Sequence, residues 1–198
     1  MSAGITGVLL AAGAGRRFGS NKLLHSLDNG LPMVVASARQ LKAALPHTIA
    51  VVADPDGEVA GLLREEGLGI VVNSRAAGGM GTSIARGVAA STVAQGWVIA
   101  LADMPFIPAT VIHQVVEGLA GGGSVVAPVY RERRGHPVGF SARHAGALMR
   151  LAGDEGARGI IRDNRGSLVL IEVDEPGVVT DIDTPGSDHT GVPRAAGP

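Results

Sequence analysis

Cysteine is absent from the 198 residues. That excludes disulfides, thiolate zinc sites and cysteine nucleophiles, and it suits a reducing cytoplasm. Aromatic residues make up only 3% of the chain, so a base-stacking platform for single-stranded nucleic acid is not expected. Charge of either sign is not in excess: 17 Lys and Arg stand against 18 Asp and Glu, a formal net charge of −1. Such a balance argues against electrostatic binding to nucleic acid or to a membrane surface. No apolar run approaches the roughly 18 residues needed to span a bilayer, and no basic segment precedes the first apolar run. The expectation is a cytoplasmic protein with no nucleic-acid or membrane partner.

What the sequence has instead is glycine and aliphatic residues, with 30 Gly and 45% hydrophobic residues overall. A chain of this length can build one substantial α/β core. Its most informative stretch follows the first apolar run, Ile5 to Ala11. There Gly13, Gly15 and Gly19 are interleaved with Arg16, Arg17 and Lys22. Glycine lets a backbone lie directly against a ligand. The loop N–H groups, with Arg17 and Lys22, could face polyphosphate oxygens. The spacing matches neither a P-loop, since Lys22 lies three residues past Gly19, nor the Gly-x-Gly-x-x-Gly dinucleotide fingerprint. A plain strand-to-helix turn is the alternative; the basic residues after a first strand favour phosphate binding.

The order that follows is β-α-β-α-β. A helix is expected from Pro32, a strand over Thr48–Ala53, a helix over Val59–Glu66 and a strand over Ile70–Val72, implying a parallel sheet with covering helices. Asp54-Pro55-Asp56 offers a turn and a helix cap. A second glycine-rich loop, Ser74 to Gly81, leads into a helix that Thr82 or Ser83 could cap. It reads either as an anion-attracting helix start or as a connector. Trp97–Ala102 has the continuous apolar character of a central strand. Asp103 follows at its carboxyl end, where open parallel sheets gather ligands, and could be a helix cap or a metal ligand.

Beyond Gly121 the pattern changes. Ser124–Tyr130 and Pro137–Phe140 read as two strands joined by the polar turn Arg131–Gly135, so the sheet should be mixed. His136, next to that turn, is either a packing residue of the hairpin or a functional one. Further helices are expected over Ala145–Leu151 and from Gly153–Arg158, then a last strand over Ser167–Val173. Residues 1–188 should form one domain, with 189–198 a disordered tail. Two glycine loops, the basic residues and the carboxylates Asp103 and Asp183 together suit a nucleoside triphosphate with Mg2+, which takes one or two carboxylates plus phosphate oxygens.

These motifs carry a resemblance. Leu10-Ala11-Ala12-Gly13-x-Gly15-x-Arg17-Phe18-Gly19-x-x-Lys22 resembles the signature loop of nucleotidyltransferases with a glycosyltransferase-A-like Rossmann fold. Gly79–Ile84, Leu101–Ile107, Arg134–Val138, Gly153–Arg158 and Asp181–Pro185 resemble later motifs of the MobA-like NTP transferase family, in the branch that modifies molybdenum cofactor. The resemblance implies a single-domain, Rossmann-like three-layer α/β sandwich with a mostly parallel mixed sheet. It implies that Leu10, Ala11, Ala12, Gly13, Gly15, Arg17, Lys22, Gly81 and Ser83 bind the nucleotide. Arg17, Lys22 and Asp103 would be catalytic, Asp103 and Asp183 (or Asp181) would hold Mg2+, and His136, Asp154 and Arg158 would line the acceptor side.

The implied reaction is transfer of a nucleoside monophosphate from an NTP to the phosphate of a pterin acceptor, molybdopterin, with release of pyrophosphate. Ala11-Ala12-Gly13 favours CTP, because the GTP-using members resembled here carry a Gly-Gly version. A receiving molybdoenzyme of the xanthine dehydrogenase type is the implied partner. The alternatives are a guanylyltransferase, a sugar-phosphate nucleotidyltransferase, or a non-catalytic cofactor-binding accessory protein for a molybdoenzyme.

Overall fold

A computed structural model describes residues 4–13 and 21–182. Three parallel strands begin the sheet: β1 (Ile5–Leu10), β2 (Thr48–Val52) and β3 (Gly69–Val72). Their connections are α1 (Met33–Ala44) and α2 (Glu58–Glu65). Helix α3 (Met80–Ala89) crosses to β4 (Gly96–Leu101), which pairs parallel to β1 on its other side. After α4 (Ala109–Ala120) come β5 (Val125–Tyr130), the two-residue β6 (Arg133–Arg134) and β7 (Val138–Ser141). Helices α5 (Ala145–Met149) and α6 (Arg158–Asp163) precede β8 (Leu168–Glu172). The sheet order is β3-β2-β1-β4-β7-β5-β6, with β8 parallel to β5.

The mixed character enters through β7, antiparallel to both β4 and β5. The expected hairpin is present but is cut into β6 and β7 by Gly135–Pro137, and the His136–Pro137 peptide is cis. One apolar layer lies between the sheet and α1, α2 and α4, with Leu41, Leu63 and Val115 fully buried. The other lies under α3, α5 and α6, centred on Val8, Trp97 and Leu148. This is the three-layer mixed α/β sandwich expected. Gly87 explains how close α3 comes: a Cβ there would stand 2.5 Å from Val8 of the central strand.

Two capping expectations are corrected. Helix α3 begins at Met80 with Gly79 as its N-cap, so Thr82 and Ser83 lie inside the first turn. Gly79 takes φ +93°, a backbone position that β-carbon-bearing residues avoid. Helix α2 is capped by Gly57, and Asp54 instead accepts the Asp56 N–H at 3.0 Å in a local turn. Ser91 lies just past the end of α3. It donates to Gly87 O and accepts the Trp97 indole N–H, both at 2.9 Å.

Candidate functional site

Two cavities open at the carboxyl ends of the central strands. The first, about 760 Å³, is lined by the end of β1 (Leu10 to Gly13), by Lys22, and by Asn73, Ser83 and the loop after β3. The second, about 370 Å³, lies beside β7 and α6. Asp103, Asp154, Met80 and Leu101 line both. Their common wall is therefore the end of β4 and the start of α3.

Asp103 is set there by backbone bonds on both sides. The Ala102 N–H donates to Leu10 O at 3.1 Å, tying the end of β4 to the end of β1. The Asp103 carbonyl accepts the Ile182 N–H at 3.1 Å, which brings the Asp181-Ile182 segment alongside. Ser37 of α1 donates to Ala102 O at 2.9 Å beneath it. The Asp103 carboxylate receives the Lys22 ammonium at 2.7 Å, with both side chains mostly shielded from water. A cation already occupies the carboxylate expected to hold a metal. Charge-assisted contacts of this kind are the strong ones.

The glycine-rich loop after β3 has a structural job visible only in three dimensions. Gly81 N–H donates to Gly153 O at 2.8 Å, and Gly153 N–H donates to Gly78 O at 2.9 Å. A Cβ on Gly81 would lie 2.7 Å from the Ala152 backbone, and one on Gly79 would run into the Gly153 carbonyl. Two loops far apart in sequence are thus zipped together, and the zip delivers Asp154 to the junction of the cavities. Asn73 holds the neighbouring turn. Buried at 4% exposure, it donates to Thr82 Oγ1 at 2.9 Å and to Ser83 Oγ at 3.0 Å, and accepts the Arg75 N–H.

Most of the expected residues meet here. Leu10, Ala11, Ala12, Gly13, Lys22 and Ser83 line the first cavity, His136 and Arg158 the second, and Asp103 and Asp154 both. Gly81 is buried against Ala152 and lines neither. Gly15, Arg17 and Asp183 lie outside the described residues, as does the segment 189–198. Asp181 lines the second cavity. Asn73, Met80, Arg133 and Arg134 also line the site but were given no site role from sequence, although Met80 and Arg134 fall within the Gly79–Ile84 and Arg134–Val138 motifs. Asn73 stands where the third strand ends, and Arg133-Arg134 precede the Gly-His-Pro run; those positions were the available signals.

Electrostatics separate the two sides. Burial, the Arg134 charge and, more weakly, Arg158 push the His136 imidazole down to about 4, opposed only by Asp103. His136 is therefore neutral near pH 7. Its Nδ1 is buried without a hydrogen-bond partner. Among the described residues no three His, Asp or Glu side chains cluster as a closed metal cage.

A mixed sheet of this order, with ligand cavities at the carboxyl ends of its strands, is the Rossmann-like fold found in nucleotidyltransferases. The chain belongs to the MobA-like NTP transferase family, whose model matches residues 7–168. It is 29% identical over 189 residues to the nicotine blue oxidoreductase of Paenarthrobacter nicotinovorans, covering 91% of this chain and 92% of that protein. It is also 29% identical over 198 residues to the purine catabolism protein PucB of Bacillus subtilis (strain 168), with coverage of 91% and 92%. Among solved structures, Rv0371c of Mycobacterium tuberculosis superposes with a TM-score of 0.76 at 25% identity, over 93% of this chain and 94% of that one. A further structure of Rv0371c is a complex with manganese.

Proposed function

We propose that the protein is a divalent-metal-dependent nucleotidyltransferase that moves a nucleoside monophosphate, from CTP by preference, to the phosphate of a pterin acceptor. The observation that carries this reading is the meeting of two cavities at Asp103, with Lys22 bonded to it. The first cavity would take the NTP. Leu10, Ala11 and Ala12 would border the base and Gly13, Gly15, Arg17 and Lys22 the triphosphate, while Asn73 holds Ser83 toward the base or ribose. The acceptor would enter the second cavity past His136, Asp154 and Arg158.

An acceptor phosphate oxygen would attack the α-phosphorus in line. The new P–O bond forms as the bond to the β-phosphate breaks, and pyrophosphate leaves with the electron pair. A phosphate nucleophile is already ionised near neutral pH, so no side chain need remove a proton. Lys22, released from Asp103, would neutralise charge on the leaving group, the main contribution a protein makes to such reactions. Asp103 would hold the divalent cation, with Asp183 or Asp181 as a second carboxylate; bound there, Mg2+ supplies positive charge to the phosphate oxygens. That a structure of Rv0371c is a complex with manganese supports a divalent-metal dependence.

The test is pyrophosphate release from each NTP with Mg2+ and molybdopterin, alongside the Asp103→Asn protein. Release from CTP, and a loss of at least about 100-fold in Asp103→Asn with an unchanged melting curve, is the expected result. Release with GTP alone would overturn the CTP preference, and no release with any NTP would favour a cofactor-binding accessory protein. A parallel arm with NADH or NADPH and no NTP tests the redox chemistry in the name of the Paenarthrobacter relative.

A further inference from the structure

We infer that the second cavity contains a preformed seat for a phosphate dianion, built from the guanidinium groups of Arg134 and Arg158 and the Nε2–H of His136. All three residues line that cavity. The inference rests on reading this cavity as the acceptor side, and it names the chemistry by which the acceptor is held there.

The first ground is positive charge that makes no direct ion pair among the described residues. Carboxylates line the same cavity, yet neither Arg134 nor Arg158 has an ion pair with any of them among the described residues. Arg165 adds a third positive charge close enough to act on Arg134. Burial first, then the Arg158 and Arg165 charges, pull the Arg134 pKa below its usual value. Guanidinium groups that repel one another and have no counter-ion are stabilised by a multivalent oxyanion, which a planar N–H fork can grip at two oxygens.

The second ground is preorganisation. Arg134 sits in β6, in register with Val129 of β5. Gly135 N–H donates to Pro128 O and His136 N–H to Val178 O, each at 2.8 Å. The backbone is therefore fixed from both sides across Arg134, Gly135 and His136, which carry two of the three groups of the seat. Any Cβ on Gly135 would collide with the Val178 carbonyl, so the close approach needs glycine.

The third ground is the imidazole. Nδ1 is sealed from solvent with no acceptor to receive a proton, and an orphaned buried N–H is costly. The proton of the neutral ring then belongs on Nε2, the nitrogen left to face the cavity. His136 feels Asp103 as well as Arg134 and Arg158, which places the seat beside the shared carboxylate, where a nucleophilic phosphate has to be.

Inorganic phosphate is the probe, titrated by isothermal calorimetry into the full chain with EDTA and no nucleotide. The wild type should bind saturably. Arg134→Gln and Arg158→Gln should each weaken binding by about tenfold or more, the usual loss for one charge-assisted contact. Arg131→Gln, which removes a cation stacked on Tyr130 outside the cavity, should bind as the wild type does. CTP affinity and melting curves of each variant separate a lost seat from a lost fold. Histidine 15N spectra should show the Nε2–H tautomer, with that nitrogen shifting on phosphate addition. Phosphate binding that is absent in the wild type, unchanged in both arginine variants, or lost only in Lys22→Met would overturn the assignment. If this pattern holds while no NTP releases pyrophosphate, the seat stands and the transferase reading falls. The reverse outcome separates them equally well.

Discussion

His136 gives the most quantitative handle on this site. Its folded pKa of about 4 lies below the ordinary value of 6.5. Between those values the unfolded chain binds a proton that the folded protein does not. Stability contributed by the neutral ring is therefore complete above pH 6.5 and is lost as pH falls toward 4. Two and a half pKa units at about 1.4 kcal/mol each give a ceiling near 3.5 kcal/mol, of which about 3 kcal/mol is gone by pH 4. The charged neighbours are Arg134 and Arg158, which favour the neutral ring, and Asp103, which opposes it. Other groups titrate in the same range, so the quantity to measure is a difference. Urea unfolding of wild type and His136→Gln at pH 7.5, 5.5 and 4 should show the wild type losing about 3 kcal/mol relative to the variant. A difference that stays flat across that range would refute the buried, neutral histidine, and a difference of opposite sign would mean that Asp103 dominates its environment.

Two further variants probe the wall between the cavities. Gly79→Ala should destabilise by about 3 kcal/mol, because strain at φ +93° adds to a collision with the Gly153 carbonyl, whereas Gly153→Ala, at φ +73° with open space around it, should cost only about 1 kcal/mol. Equal costs in thermal melts would mean that the loop zip is soft. Asn73→Ala removes hydrogen bonds to Thr82, Ser83 and Arg75; it should cost about 2 kcal/mol in denaturant unfolding and raise the KM for NTP more than it lowers kcat.

Local chemistry explains which parts of the fold could be read from sequence. The runs around Leu9, Val51 and Ile99 become strands because apolar stretches of five or six residues bury on both faces of a parallel sheet. Pro32 and Pro108 mark helix starts because a missing N–H costs nothing there. The insertion of β7 between β4 and β5 could not be read in the same way. Antiparallel pairing of Trp97 with Phe140 is a contact across 43 positions of sequence, and no local propensity encodes it. The start of α3 was misplaced for a related reason. Thr82 looks like a cap from its type, but the helix begins two residues earlier because Gly79 packs on Gly153, a neighbour found only in the fold.

The same distinction governs the candidate site. Residues whose chemistry is intrinsic, such as a lysine near glycines or an aspartate at a strand end, announce themselves in sequence. Lys22 and Asp103 do meet, although 81 positions separate them. Residues whose chemistry is conferred by surroundings stay silent. Arg134 is one of many exposed arginines until it is seen to line the second cavity with no ion pair among the described residues. His136 stands out in sequence by its place beside the polar turn, but its neutral state shows only once Nδ1 is found sealed and the ring depressed to about 4. Gly81 was expected on the nucleotide, yet its place is against Ala152, where it lets two loops close and sets Asp154 between the cavities. A glycine motif near a ligand can therefore act at one remove, through the backbone it allows to approach rather than through the ligand itself. For this chain the first loop would bear on the phosphates, whereas the second shapes the wall shared by the two cavities.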